Sequence, residues 1–240
     1  MLVRIVRVIL VMCCAIAGFG VGPAGAVPGG ANPVLVIGGI GTDVGPLEVL
    51  RTWLGSRGYT AYWMVLRAHP TENAPFGSAP IAESAQAVAE QVAEIRRETG
   101  AERVDLVGHS MGGLAQRHYI KFLGGLGQVG TYVDVGTPEL GIVLALECAD
   151  RYPGCRDLLP WSEFIRDLNA PPAIPPGLPA YHLYTEIAFE NVPLPGATNA
   201  SVQSFCAGRR VAHGDQLVDG AVQQLIDSAL RGGPLSSTCP

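Results

Sequence analysis

The sequence predicts an α/β protein, a mostly parallel sheet covered by helices on both faces. Two patterns carry that expectation. From Val34 onward, compact apolar runs of strand length alternate with amphipathic segments of helical period, as in βαβ units whose strands are buried on both sides. One junction between such a run and such a segment reads Gly108-His109-Ser110-Met111-Gly112, a serine framed by glycines where strand passes into helix. A chain of 240 residues, 48% hydrophobic and 15% charged, suits one domain with a sizeable core.

The first 26 residues read as a signal peptide. Arg4 and Arg7 precede an apolar run from Val8 to Val21 that is short for a membrane span, and Ala24-Gly25-Ala26 supplies a small-residue cleavage site. Residues 27–240 are then the single mature, secreted domain. Removing the two leader arginines from 16 basic residues leaves 14 against 21 acidic ones, a balance that excludes a nucleic-acid surface.

Val34 to Ile37 is the first strand, ending in glycines. Leu47 to Gly58 reads as a helix and Tyr59 to Leu66 as a second strand rich in aromatic and β-branched residues. Ile81 to Thr99 is the clearest amphipathic helix, with Ala85, Val88, Ala89, Val92 and Ile95 on one face and Gly100 as its stop. Val104 to Val107 is a strand, Met111 to Leu123 a helix and Thr131 to Val135 a strand. Proline-rich Pro153 to Pro179 interrupts the rhythm, with a short helical piece around Trp161 to Leu168; such an excursion is either a lid or binding loop, or an ordinary surface segment pinned by a disulfide. Tyr181 to Thr185 resumes a strand, and Ala221 to Leu230 closes the chain with an amphipathic helix.

Cys13 and Cys14 leave with the leader. Cys148, Cys155, Cys206 and Cys239 remain, an even number in an oxidising compartment. Of the three possible pairings, Cys148–Cys155 closes a short loop and Cys206–Cys239 ties down the tail. The four show no C-x-x-C spacing and no nearby histidine pair, so the zinc alternative is weak.

The Ser110 junction fits a nucleophile elbow, G-x-S-x-G between strand and helix. Gly108 and Gly112 allow the close strand–helix approach such a turn needs, and the helix start aims N–H groups at the serine hydroxyl. A serine needs a base to take its proton. Among five histidines, His213 stands just before the last helix, where a loop can hang over the carboxyl ends of the strands, and serine-first order requires the base last. The acid falls between Tyr181–Thr185 and His213. Glu190 and Glu186 both stand there, with Asp134 after the preceding strand as a replacement. The oxyanion donors expected are the N–H of Met111 and, from the glycine-rich VIGGIG loop, that of Ile40. Trp161 and Phe164 are candidates for lining an acyl pocket. No metal constellation is visible.

These residues resemble those of secreted α/β-hydrolase lipases and esterases, most closely the actinobacterial lipase class 2, or EstA/EstB, type. The landmarks are VIGGIG, VDLVGHSMGG with a helix running into YIKFLGG, VDVGTPELG, the cysteines at 148 and 155, LYTE, and the Cys206-to-His213 spacing. The resemblance spans roughly residues 33–230. It implies an α/β-hydrolase fold, hydrolysis of acyl esters or lipids through an acyl-enzyme, and no cofactor; a monomer is expected. Relatives carry His-Gly where this chain has Gly38-Gly39, and an aspartate-bearing run where it has ENVPLP, which by position favours Glu190. A thioesterase or acyltransferase would use the same machinery. A catalytically weak binding protein on the same fold is the alternative of a different class.

Overall fold

The structure, a computed structural model, describes residues 31–240. The expected leader, residues 1–26, lies outside them. Six strands, β1 (Val34–Ile37), β2 (Ala61–Met64), β3 (Val104–His109), β4 (Val129–Val135), β5 (Ala180–Tyr184) and β6 (Thr198–Ser201), form one sheet in the order β2-β1-β3-β4-β5-β6. Every neighbouring pair is parallel. This is the α/β-hydrolase fold the sequence predicts.

Among the described residues six α-helices pack on it: α1 (Val44–Ser56), α2 (Ile81–Thr99), α3 (Met111–Phe122), α4 (Pro153–Asp157), α5 (Glu163–Asn169) and α6 (Gly220–Leu230). Strand alternation divides the core into two layers. Leu35, Ile37, Leu106 and Tyr132 pack against the apolar stripes of α2 and α3, while Val34, Val36, Val107 and Val133 face α1 and α6. α2 spans the residues its periodicity predicts, and Gly100 ends it at φ +72°. α1 starts earlier than expected because Asp43 caps it, its carboxylate accepting from the Gly45 N–H.

The strand read over Tyr59–Leu66 shortens to the half-buried edge strand β2. The excursion after β4 is ordered by short helices and 3₁₀ turns and pinned by a Cys148–Cys155 disulfide. A second disulfide, Cys206–Cys239, holds the C-terminal tail. None of the helices among the described residues is long and apolar enough to cross a membrane.

The chain runs from β1 outward to β2, then returns across β1 to β3. The carboxyl ends of β1 and β3 therefore flank the point where the winding reverses, the usual place for a site in an open α/β sheet. Ser110 and the loop carrying Ile40 both stand there.

Candidate active site

Ser110 caps α3 in a conformation few residues adopt, φ 55° and ψ −128°. It is held there from both sides of its peptide: its N–H donates to the Val135 carbonyl at 2.9 Å, and its carbonyl accepts from the Thr137 hydroxyl at 3.0 Å. Such strain persists only where the surroundings over-determine it. The flanking glycines leave no room for side chains. A Cβ on Gly108 would lie 2.7 Å from backbone atoms of Gly112 and Gly113, and one on Gly112 would lie 2.6 Å from the Ile37 carbonyl. A Cβ on Gly39 would lie 2.7 Å from the Cβ of Ser110, so the loop after β1 packs directly on the serine.

Ile40 follows in that loop, and Met111 opens α3. Among the described residues neither backbone N–H meets an acceptor, which leaves both available to an oxygen near Ser110. The departure at Gly38 also has a local reason: a Cβ there would come within 3.0 Å of the Thr42 side chain and 3.2 Å of Leu47. A larger residue there would need the Thr42 and Leu47 side chains to give way by a few tenths of an ångström.

His213 and Ser110 line the same cavity, of about 690 Å³. His213 lies on a 3₁₀ turn, His213–Asp215, and is partly exposed. Its Nδ1 stands 3.6 Å from Oε2 of the fully buried Glu190, beyond hydrogen-bond range, and neither atom has another partner. The other Glu190 oxygen accepts from the side-chain amide of Gln216. Glu190 sits in the irregular loop between β5 and β6, and its neighbour Phe189 lays its ring 4.8 Å from that of His213. The two other carboxylates weighed from the sequence are engaged elsewhere. Exposed Glu186 accepts from the Ser201 hydroxyl at 2.7 Å, and buried Asp134 pairs with His182.

His109, inside the elbow motif, packs against His213. Its Nε2–H donates to the His213 carbonyl at 3.0 Å, and the two rings lie 4.8 Å apart. Burial, helped by the neighbouring His213, pulls the His109 imidazole down to about 4, against its bond to the carbonyl. His109 is thus a neutral donor fixing the backbone that carries His213. The sequence marks His109 as a packing and hydrogen-bonding residue but not its partner, which is 104 positions away. Gln216 was missed altogether; its place three residues after His213 in sequence is the only cue.

The cavity wall is largely apolar and comes from Ile142, Leu144, Ala145, Leu158, Phe189 and Leu217. Trp161 and Phe164 do not take part, contrary to expectation. Trp161 is 62% exposed, and Phe164 stacks on His118 of α3 at 5.3 Å. On the turn Val143–Glu147, Val143, Leu144 and Leu146 are each more than half exposed beside the cavity. Asp43 and Glu147 are the acidic residues bordering it, and among the described residues no Lys or Arg does.

A sequence model of the family described as palmitoyl protein thioesterase matches residues 33–184. No curated protein sequence gives a significant match. Among solved structures, Aspergillus fumigatus lipase B superposes with a TM-score of 0.71 at 17% identity, over 89% of this chain and 55% of that one. The chain thus spans little more than half the fungal lipase's length. One of the metagenome-derived lipolytic enzymes LipS and LipT aligns at TM-score 0.61 and 12% identity, covering 84% of this chain and 95% of that one. The mature form of a Bacillus licheniformis lipase aligns at TM-score 0.55 and 16% identity, over 71% and 84% of the two chains. At these identities the likeness is one of fold.

Proposed function

The chain belongs to the palmitoyl protein thioesterase family, and we propose that it is a secreted serine hydrolase that cleaves acyl esters or thioesters through an acyl-enzyme. The observation that carries the reading is the meeting of a strained, pinned Ser110, His213 and unpaired backbone donors at one largely apolar cavity. Ser110 Oγ attacks the acyl carbonyl carbon while His213 takes its proton. The negative charge on the carbonyl oxygen is met by the N–H groups of Ile40 and Met111. His213 returns the proton to the leaving oxygen or sulfur, and a water activated by the same imidazole releases the acid. Glu190 is the acid of this triad, fixing the tautomer of His213 and stabilising its charged form.

The cavity also favours certain substrates. Apolar walls suit an acyl chain, and the exposed Val143, Leu144 and Leu146 suit substrates at a lipid surface. Asp43 and Glu147 with no facing cation disfavour an anionic leaving group such as coenzyme A. Uncharged acylglycerol-like esters, in keeping with the lipase class 2 resemblance, and S-acyl peptides, in keeping with the family description, are the two classes that fit. Secretion is supported by the leader-like residues 1–26 and by two disulfides.

The test is hydrolysis of matched acyl oxyesters and thioesters of increasing chain length, alongside acyl-coenzyme A, by residues 27–240 and by the Ser110→Ala variant. The expected result is turnover of uncharged substrates by the wild type alone, with coenzyme A thioesters poor. An inactive wild type whose Ser110 also resists a fluorophosphonate probe would leave a binding protein on a hydrolase fold.

A further inference from the structure

A second acid–histidine pair lies within the sheet, next to the first. Asp134 and His182 are register partners on β4 and β5, and neither is exposed to solvent. His182 Nδ1 lies 2.5 Å from the Asp134 carboxylate, and its Nε2 lies 3.2 Å from the backbone carbonyl oxygen of Glu190. Both partners are acceptors. A neutral imidazole carries one N–H and could serve only one of them, leaving a lone pair facing the other oxygen. With Asp134 ionised, the two contacts are satisfied together only by the doubly protonated ring.

The surroundings accommodate that charge. Glu139, in the turn after β4, is paired with buried Arg117 from α3 and accepts weakly from Tyr132 of β4, while Tyr184 of β5 stacks on the His182 ring. Two carboxylates thus face one guanidinium and one imidazolium. Asp134, Glu139 and His182 lie close enough to hold a metal ion, yet their charges are already balanced and both imidazole nitrogens are in use.

We infer that His182 is a positioning residue for Glu190: as an imidazolium held by Asp134, it grips the Glu190 carbonyl while Gln216 grips the carboxylate, and together they present Oε2 to His213. The inference rests on the reading of Glu190 as the triad acid. Few bonds otherwise hold Glu190 in its loop; the nearest backbone ones are Val192 N–H to the Glu190 carbonyl and Ala188 N–H to that of Thr185. With 3.6 Å already separating Glu190 from His213, a further shift of about 1 Å is enough to cost roughly 100-fold in rate.

The experiment compares Asp134→Asn, Asp134→Asn/His182→Leu and Asp134→Asn/His182→Gln, each with and without Glu190→Gln. A soluble chromogenic ester reports kcat and KM across pH. In Asp134→Asn the new amide can donate to Nδ1 while Nε2–H still reaches Glu190, so kcat should fall by no more than about threefold. Adding His182→Leu removes that grip without stranding a buried charge. It should lower kcat by at least about tenfold with KM within about twofold. The glutamine variant, whose amide can donate to the same carbonyl, should recover part of the loss; it also serves if the leucine variant does not fold.

On the Glu190→Gln background these losses should vanish. Losses that multiply with Glu190→Gln, or a loss in the leucine variant that glutamine does not recover, would make His182 a core residue only and overturn the inference. A collapse in Asp134→Asn with Glu190→Gln near wild type would instead mean that the acid itself is Asp134, and an inactive wild type would remove the hydrolase reading and the inference with it.

Discussion

Replacing Gly39 with alanine tests the packing of the loop after β1 on Ser110. The added Cβ would lie 2.7 Å from the serine Cβ, 3.2 Å from its Oγ and 3.2 Å from the His109 carbonyl. Carbon atoms pack at about 3.5–4.0 Å, so something must move by about 1 Å. Ser110 is the pinned side, bonded through its N–H to Val135 and through its carbonyl to Thr137. The loop therefore yields, and Ile40 moves with it. Loss or misplacement of one oxyanion donor costs on the order of 10²–10³ in kcat, so a fall of about 100-fold is expected, or about 2.7 kcal/mol of transition-state stabilisation. KM should change little, because most of the cavity wall lies elsewhere. Crowding should also lower stability by about 1–3 kcal/mol, so kcat and KM are read well below the melting temperature, with a fluorophosphonate titration to count competent serines. A kcat within threefold of wild type at unchanged stability would refute both the contact and the assigned donor.

The two disulfides should differ in weight. Serine pairs at 206 and 239, which open a loop with a sequence separation of 33, should cost about 3–4 kcal/mol in denaturant melts, against about 2 kcal/mol for the separation of 7 at 148 and 155. The second pair should nevertheless change chain-length preference more, since Cys148 borders the cavity. Gly55→Ala, in exposed helix with nothing within 4 Å of the new Cβ, should stabilise by up to about 1 kcal/mol. Stability should also depend on pH through two buried histidines. Burial opposes the charge on His182, but Asp134 outweighs it, with Glu139 and the Glu190 carbonyl assisting, and raises it to about 9. Its contribution, on the order of 3 kcal/mol, is complete below the unfolded value near 6.5 and is lost as pH rises through 9. His109, pulled down to about 4, acts oppositely, weakening the fold as pH falls from 6.5 towards 4. Urea melts between pH 4 and 10 read both limbs, and Asp134→Asn/His182→Leu should flatten the alkaline one.

Elements that announce themselves by periodicity were legible in the sequence. β1 and α2 have the boundaries their apolar patterns give, and the glycine-framed serine sits where its flanking strand and helix require. β6 was not legible, because Thr198–Ser201 is an edge strand without an apolar run. The cavity wall was misread for a related reason. Trp161 and Phe164 are large and apolar, but burial of Phe164 against His118 depends on how α5 meets α3, which composition does not encode. For the acid, local sequence offered three carboxylates near strand ends; position past the strand favours Glu190 but does not show where its side chain points. Only the folded loop separates Glu190, buried and facing His213, from Glu186, exposed and bonded to Ser201.

Charge bookkeeping in the sheet constrains how the two acid–histidine pairs can work. Asp134 cannot turn to His213 without stranding an imidazolium at His182, whose exposure is nil, and breaking a buried pair in that way costs several kcal/mol. Glu190 is tied to no such charge: one of its oxygens accepts from the neutral amide of Gln216 and Oε2 is unpartnered. If it is the acid, the 3.6 Å separation must close during acyl transfer, when His213 gains a proton and attracts the carboxylate. Glu190 is held at its carbonyl by His182 and at Oε1 by Gln216. The His213 ring is partly exposed, with backbone rather than side chain tied down by His109. The gap therefore closes from the histidine's side, by rotation of an imidazole toward a carboxylate that stays in place. Catalytic hydrogen bonds that are long in the free enzyme and tighten with substrate bound behave in this manner.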